Sequence, residues 1–306
     1  MKLIAPSYYP AFSCIADQCR HSCCIGWEID IDDKTAQCYR TFSGKIGDRM
    51  RTNIDFSADP PHFILQGTNE RCPFLNDRGL CDIILTCGED ALCQICTDHP
   101  RFRNFFSDRT EIGLGLCCEA AAALVLGWED SVTMIDLSDN GENTEPIEEE
   151  QTFFALRDSL IAVLQNREQP LDMRIDKMLS VVGGVRFDDM RPWAEFLSGL
   201  EILDAVWTAA LETVGDEREV LPGQVGEQLM VYLLMRHLPK MLDGEDPATL
   251  ASFAVLGYDL ICALYASSPE HDFVSLCELV RLFSSEIEYS EENLYAVFDE
   301  IASSCP

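Results

Sequence analysis

No stretch of this 306-residue chain approaches the run of about 18 consecutive apolar residues that a membrane helix requires, so no membrane span is expected. The opening MKLIAPSYYPAF has one lysine and only a short apolar stretch before Pro6. It lacks both the apolar core and the small-residue cleavage site of a secretory signal, which predicts a cytoplasmic protein in a reducing compartment. Positive charge is also scarce: 22 Lys+Arg stand against 53 Asp+Glu, a net charge of −31. Such a surface repels phosphate backbones and anionic lipid, which argues against nucleic-acid binding and favours a lysine-presenting or otherwise basic partner. A merely solvating acidic surface is the plain alternative. No G-x-G-x-x-G follows an identifiable strand, and there is no P-loop, H-E-x-x-H or G-x-S-x-G. Rossmann-type cofactor binding, phosphate cradling, zinc proteolysis and a hydrolase elbow therefore lack support, since GLGLCC and VVGGVRF are only weak glycine patterns. No period of 20–50 residues signals a solenoid.

Cysteine is abundant. Fifteen are present, and twelve of them lie in residues 1–118. In a reducing compartment a dense thiol set reads as metal-binding or catalytic rather than bridged, and the odd count points the same way. The first group is C-x4-C-x3-C-C, made of Cys14, Cys19, Cys23 and Cys24. RCPFLNDRGLCDIILTCGEDALCQICTDHPRF then supplies Cys72, Cys81, Cys87 and the C-x2-C pair Cys93 and Cys96, and GLGLCCEAAAALVL adds Cys117 and Cys118. Thiolate is the soft, anionic ligand of zinc and iron–sulfur centres, and two or three intervening residues let one backbone turn chelate one ion or cluster. A four-cysteine run met by scattered singles is closer to iron–sulfur ligation than to the two separated pairs of a zinc ribbon. Cys38, Cys87, Cys262, Cys277 and Cys305 read instead as small packed hydrophobes, and Cys118 as ambiguous.

The expected fold class is mainly α: an irregular cysteine-rich metal-binding domain over 1–128, an acidic linker over 129–150 and an α-helical bundle over 151–306. Turn signals such as FSGKIGD, ADPPH and NDRGLC crowd the first part. Charge follows the same division, with 12 Lys+Arg against 16 Asp+Glu up to residue 118 and 10 against 37 beyond it. VTMIDL can form a short strand with no evident partner. Helical spacing is carried by Phe153, Leu156, Leu160, Val163 and Leu164, and again from Met190 through Trp193, Phe196, Leu197, Leu200 and Leu203 to Trp207. GQVGEQLMVYLLMRHL, apolar nearly all round, predicts a helix buried on most sides, with Arg236 and His237 at its edge and Arg236 reaching the cysteine-rich domain. Residues 247–267 continue the pattern. Ser268-Pro269 predicts the start of a helix with Phe273, Leu276, Val280 and Phe283 inward, and Ser290 the start of a last one burying Leu294, Val297, Phe298 and Ile301.

PSYYPAFSCIADQCRHSCCIGWEIDID, CPFLNDRGLC, LCQICTDHPR and GLCCEAAAAL resemble the cysteine-cluster region of the flagellin lysine N-methylase family, which is related to a wider group of zinc- or iron-chelating proteins. The resemblance continues through GEQLMVYLLMRHL and FSSEIEYSEENL and so covers nearly the whole chain. It implies methyl transfer from S-adenosylmethionine to flagellin lysines, with an iron–sulfur cluster (4Fe-4S, zinc being the alternative) held by Cys14, Cys19, Cys23, Cys24, Cys72, Cys81, Cys93, Cys96 and Cys117. One departure is that Cys118 stands where the family pattern has proline, which leaves the ligand at that point open.

Methylating lysine needs the neutral amine, and a free lysine is almost wholly protonated at neutral pH. Tyr8, Tyr9, Glu28 and Glu119, all near cysteine motifs, are candidates to deprotonate or orient it, against the readings of aromatic packing and of a helix N-terminal charge. Arg101 and Arg103 are candidates to grip the cofactor's carboxylate, or else pair with nearby acids. His99, before a proline, reads as a structural hydrogen-bonding residue rather than a ligand. The competing functions are a non-enzymatic metal-binding adaptor and a redox or metal sensor, since clustered thiolates oxidise readily.

Overall fold

Alternation and apolar spacing act on two separate parts of the chain. In the computed structural model residues 2–138 and 144–304 are described, and they divide into one unit of residues 1–12 with 103–306 and another of residues 13–102. The architecture is mainly helical.

The larger unit carries a four-stranded sheet ordered β4-β5-β1-β6, from β1 (Lys2–Pro6), β4 (Arg101–Phe105, where the chain enters this unit), β5 (Arg109–Leu114) and β6 (Met134–Asp136). Strand β1 runs parallel to β5, with Ile4 opposite Glu111, and antiparallel to β6, with Ala5 opposite Ile135. This pairing moves the expected boundaries. Residues 1–12 and 103–128 pair with each other and with 134–136 in the sheet, and side chains of Glu150, Tyr232 and Gln228 on the helices bond to their backbone, whereas the cysteine-rich unit is 13–102. VTMIDL finds its partner more than 120 residues upstream, a distance that local pattern reading does not span. Of the expected acidic linker, 139–143 lie outside the described residues, as does Cys305.

Helix α5 (Glu119–Leu126) follows the sheet, and then α6 (Glu148–Leu164) and α7 (Leu171–Val182). Arg157 of α6 donates to the buried carboxylate of Glu111 on β5, while Phe153 stacks on Phe106 at 5.6 Å. Phe153, Leu160 and Leu164 are buried, as their spacing predicts. The Met190–Trp207 run is two helices, α8 (Arg191–Ser198) and α9 (Ala205–Leu211). Glu286 separates them by accepting from the Leu203 and Asp204 amides at 2.9 and 2.7 Å.

The centre is α10 (Val225–His237) against α11 (Pro247–Ala266). Helix α11 is long and apolar enough to span a membrane by length and composition, but 94% of that stretch is buried in the protein, as in a core helix. Asp246 caps it by accepting from the Thr249 amide, with Pro247 in the first turn. Helix α12 (Phe273–Phe283) starts later than Ser268-Pro269 predicts, because Asp272 and Ser275 form a reciprocal capping box. Its Leu276, Val280 and Phe283 are buried, but Phe273, the first residue of the helix, is 40% exposed. A π-helical segment, Ser284–Glu288, links it to α13 (Glu291–Ser304), which buries Leu294, Val297, Phe298 and Ile301 as expected.

The smaller unit has α1 (Asp33–Thr41), α2 (Gly44–Asn53), the antiparallel pair β2 (Ile54–Asp55) and β3 (His62–Phe63), then α3 (Asp82–Cys87) and α4 (Gln94–Asp98). Its core joins Ile29, Ile31, Tyr39, Met50, Phe63 and Phe74 to the buried thiols Cys72 and Cys93.

Candidate functional site

Six of the expected thiol ligands converge in the smaller unit, and local backbone chemistry explains how. Gly26 donates to Glu70 O at 3.3 Å, Cys72 N donates to Cys24 O at 2.8 Å, and an antiparallel bridge pairs Ile25 with Arg71. These set Cys24 opposite Cys72. Between Cys72 and Cys81 the CPFLNDRGLC segment folds on Asn76. Its side-chain oxygen accepts from the Arg78 and Leu80 amides at 2.9 and 3.1 Å, and its amide donates to Asp82 at 2.9 Å. Gly79 sits at φ +74°, where a side chain would be strained. Arg71 donates to Leu75 O and Asn76 O, and Arg49 to Asp82 and Pro73 O, which clamps the loop and brings Cys81 to the start of α3. Cys93 caps α4, so Cys96 lies one turn along the same face.

The thiols act on one another's titration. Cys23 lies beside Cys24, Cys24 beside Cys72, and Cys96 beside Cys93. Accepting from Cys23 favours a thiolate at Cys24, but the bond to Cys72, burial and the neighbouring Cys72 and Cys81 outweigh it and push Cys24 up to about 12. The bond from Cys24 lowers Cys72 despite burial, and the bond from Cys96 lowers Cys93. Burial raises Cys81, against the amides of Ile84 and Ile83. Cys96 is raised by its bond to Cys93, by burial and by the charges of Cys93, Cys24 and Cys72. Tyr39, donating to Ala91 O at 2.6 Å, is raised by burial and by Cys93, Cys96 and Cys81.

All fourteen described cysteines are free thiols. Among the described residues no three of them have sulfurs within 4.8 Å of one another. A single zinc ion with Zn–S bonds of about 2.3 Å would bring four sulfurs to about 3.8 Å apart. A four-iron cube spaces its ligands more widely, because each thiolate binds a different iron, so this donor set fits a cluster better than one tetrahedral ion. Cys14 and Cys19 are placed in local turns, with Ala16 N donating to Cys14 Sγ and Cys19 Sγ to His21 O. Cys117 belongs to the larger unit. Cys87 is half-buried against the smaller unit's core, whereas Cys38 is exposed on α1 rather than packed inside, since the buried face of that helix is Ala36 and Tyr39. Cys262 and Cys277 are buried, as expected of small hydrophobes.

The other candidates have definite places. Tyr8 is 2% exposed, edge-on to Trp128 at 6.2 Å, and burial raises it so that it keeps its proton at neutral pH. Tyr9 opens a short 3-10 turn, and Glu119 is the first residue of α5, where a carboxylate complements the helix dipole. Arg101 donates to Thr97 O and His99 O, and Arg103 lies on β4. Burial, then Arg101, lowers His99 to about 4, so it is neutral at physiological pH. Glu28 is exposed, 3.4 Å from His62.

A polar network in the larger unit corrects the expectation for Arg236 and His237. Neither lies at an edge. Glu288 takes Arg236 Nε at 3.2 Å, His237 Nε2 at 2.6 Å and the Tyr232 hydroxyl at 3.0 Å, and Arg236 lies over the Tyr289 ring at 4.6 Å. Cys117 adjoins it. Burial pushes its thiol up to about 12, against a bond with Tyr289 and the charge of Arg236. The π-helical turn that aims Glu288 inward has no marker in the sequence, although such turns often occur at functional sites.

A stretch of 142 residues, 42% of the chain, is 26% identical to a lysine-N-methylase of Salmonella typhimurium and covers 33% of it. The lysine-N-methylase of Salmonella choleraesuis gives the same identity over 141 residues, 33% of its length. The flagellar biosynthetic protein FliU of Salmonella muenchen is 26% identical over 134 residues, 79% of its length. The chain is a distant relative of the lysine-N-methylases. It spans about a third of the length of the two that it matches. No family model and no solved structure matches it.

Proposed function

We propose that this chain is a protein-lysine N-methyltransferase acting in the cytoplasm on flagellin, with an iron–sulfur centre and S-adenosylmethionine as cofactors. The observation that carries the reading is the convergence of Cys23, Cys24, Cys72, Cys81, Cys93 and Cys96 as free thiols, in a relative of lysine-N-methylases. Those six are more than the four thiolates that one four-iron cluster would take, so the ligands would be drawn from among them. A cluster held there would supply redox-active iron and a strong local charge. The chain's own residues hold the thiols in a partly apolar setting, with Tyr39 bounding them and the Asn76 loop fixing Cys72 and Cys81.

The placement of S-adenosylmethionine is less served by the cavities. A cavity of about 430 Å³ is lined by Asp172, Asp176, Asp188, Glu219 and Asp259, and its Arg186 and Arg218 already pair with Asp259. It does not fit a ligand that carries its own carboxylate, and no step is derived through it. Arg101, at the start of β4 and five residues beyond Cys96, is the proposed contact for that carboxylate, with Arg103. Tyr9 and Glu119 remain the proposed groups for the substrate amine, Tyr8 being enclosed and protonated. The −31 charge suits a lysine-bearing protein partner.

Intact-mass analysis of flagellin co-expressed with this chain is the test. Increments of whole methyl groups on lysine are expected. Unmodified flagellin beside a cluster-loaded chain would overturn the reading in favour of a non-catalytic metal-binding adaptor or redox sensor.

A further inference from the structure

Residues Glu28 to Ile31 alternate strictly. Ile29 and Ile31 point into the core with no exposed surface, while Glu28 and Asp30 are exposed on the opposite face. Across from them, Ile31 N donates to Pro61 O at 2.7 Å, Phe63 N donates to Ile29 O at 3.1 Å, and Asp30 and His62 form an antiparallel bridge. Phe63 is buried, so the same pleat turns His62 outward. Two carboxylates from one extended segment and an imidazole from β3 thus share one face. Their ligand atoms all lie within 4.8 Å of one another, and His62 Nδ1 is 3.4 Å from Glu28 Oε1. Asp55 pairs with His62 from the other side, but its Oδ1 is engaged by Ser57 N and Oγ at 2.8 and 2.6 Å. It adds charge to the neighbourhood without being a ligand.

We propose that Glu28, Asp30 and His62 form a binding site for a divalent first-row transition ion, separate from the thiol set. Three donors bound to one such ion at about 2.0–2.2 Å lie about 3–3.8 Å apart, so side-chain rotation of about an ångström closes the set. One imidazole with two carboxylates suits manganese, iron or zinc, whereas calcium and magnesium prefer all-oxygen sites. The bound ion joins the Trp27–Ile31 segment to β3 on the face opposite their shared core.

The test uses the full chain and Mn²⁺, which favours carboxylate and imidazole over thiolate. Titration followed by loss of the free-ion electron paramagnetic resonance signal should show one bound ion per chain, and pulsed measurements should show coupling to a histidine nitrogen. His62→Gln should abolish that coupling, and both His62→Gln and Asp30→Asn should weaken binding at least about tenfold, on the scale set by losing a supporting ligand. Cys24→Ser should leave it unchanged. The side chains altered at the site are on the surface, and unchanged circular dichroism checks that the variants fold. Equal Mn²⁺ affinity in parent, His62→Gln and Asp30→Asn would overturn the proposal, as would binding lost in Cys24→Ser or no binding at millimolar Mn²⁺.

Discussion

Replacing Glu288 by glutamine removes the negative charge that Arg236, His237 and Tyr232 share at 3.2, 2.6 and 3.0 Å. The side chains of Glu288 and Arg236 are 1% and 11% exposed, so water does not replace the lost partner. Breaking a buried pair from one side costs about 3–5 kcal/mol. Arg236 keeps its place over the Tyr289 ring, a cation–π contact worth about 0.5–2 kcal/mol, which limits its rearrangement and sets the expected net loss at about 2–4 kcal/mol. For a unit of this size that is a melting temperature lower by about 5–15 °C, read by helical circular dichroism. The pH dependence gives a second check. Burial raises the Glu288 carboxyl, but Arg236 and the bond from His237 more than offset this and hold it below the usual range. A depressed folded-state value contributes stability that is complete above the ordinary carboxylate pKa of about 4.3 and is lost as pH falls through the folded value. The gap between parent and variant should therefore be full at pH 7 and close in acid. As a control, Asp216→Asn, which removes one partner of an ion pair with Arg191 that is exposed on both sides, should cost under about 1 kcal/mol. A Glu288→Gln loss no larger than that of the control, or a gap that does not change down to pH 3, would refute the argument.

Cys24→Ser combined with Cys72→Ser should abolish iron incorporation and visible absorption after anaerobic purification, while Cys38→Ser, on the exposed face of α1, should leave both unchanged. Gly115→Ala would put a methyl group 2.0 Å from the Tyr289 hydroxyl, an overpacking that should cost about 1–3 kcal/mol in urea unfolding, and Tyr289→Phe should recover part of it. His99, lowered from 6.5 to about 4, favours the neutral folded form, so the smaller unit should lose about 2 kcal/mol of stability between pH 7 and pH 5. His99→Gln should flatten that decline in urea unfolding followed by the fluorescence of Trp27, whose ring lies 6.1 Å away.

The helices were legible wherever the apolar repeat is long, whether one-sided as in α6 and α13 or all round as in α10 and α11. They were misread where a polar residue from elsewhere intervenes. Glu286 splits the Met190–Trp207 run by capping the Leu203 and Asp204 amides, and the Asp272–Ser275 box overrides the Ser268-Pro269 signal. The domain boundary failed for a related reason. Strand β1 draws its partners from residues 109–114 and 134–136, and a composition shift cannot report pairing at that separation.

The candidate site divides in the same way. Which thiols lie together was readable from spacing only for Cys93 and Cys96, since one helical turn dictates their contact. Cys24 meets Cys72 through a backbone bridge between segments nearly 50 residues apart, and Cys81 arrives through the Asn76 loop, whose Arg71 and Arg49 clamps are ordinary surface residues in sequence. The frame that places the thiols is thus built from main-chain bonds and arginine-to-carbonyl contacts rather than from the sulfurs. Cutting one clamp separates frame from ligand. Arg71→Ala deletes the bonds to Leu75 O and Asn76 O without touching a cysteine, and iron content should fall while the count of free thiols is unchanged. Undiminished iron in that variant would mean that the sulfurs and their cluster organise the loop, and that the order of cause argued for Cys72 and Cys81 runs the other way.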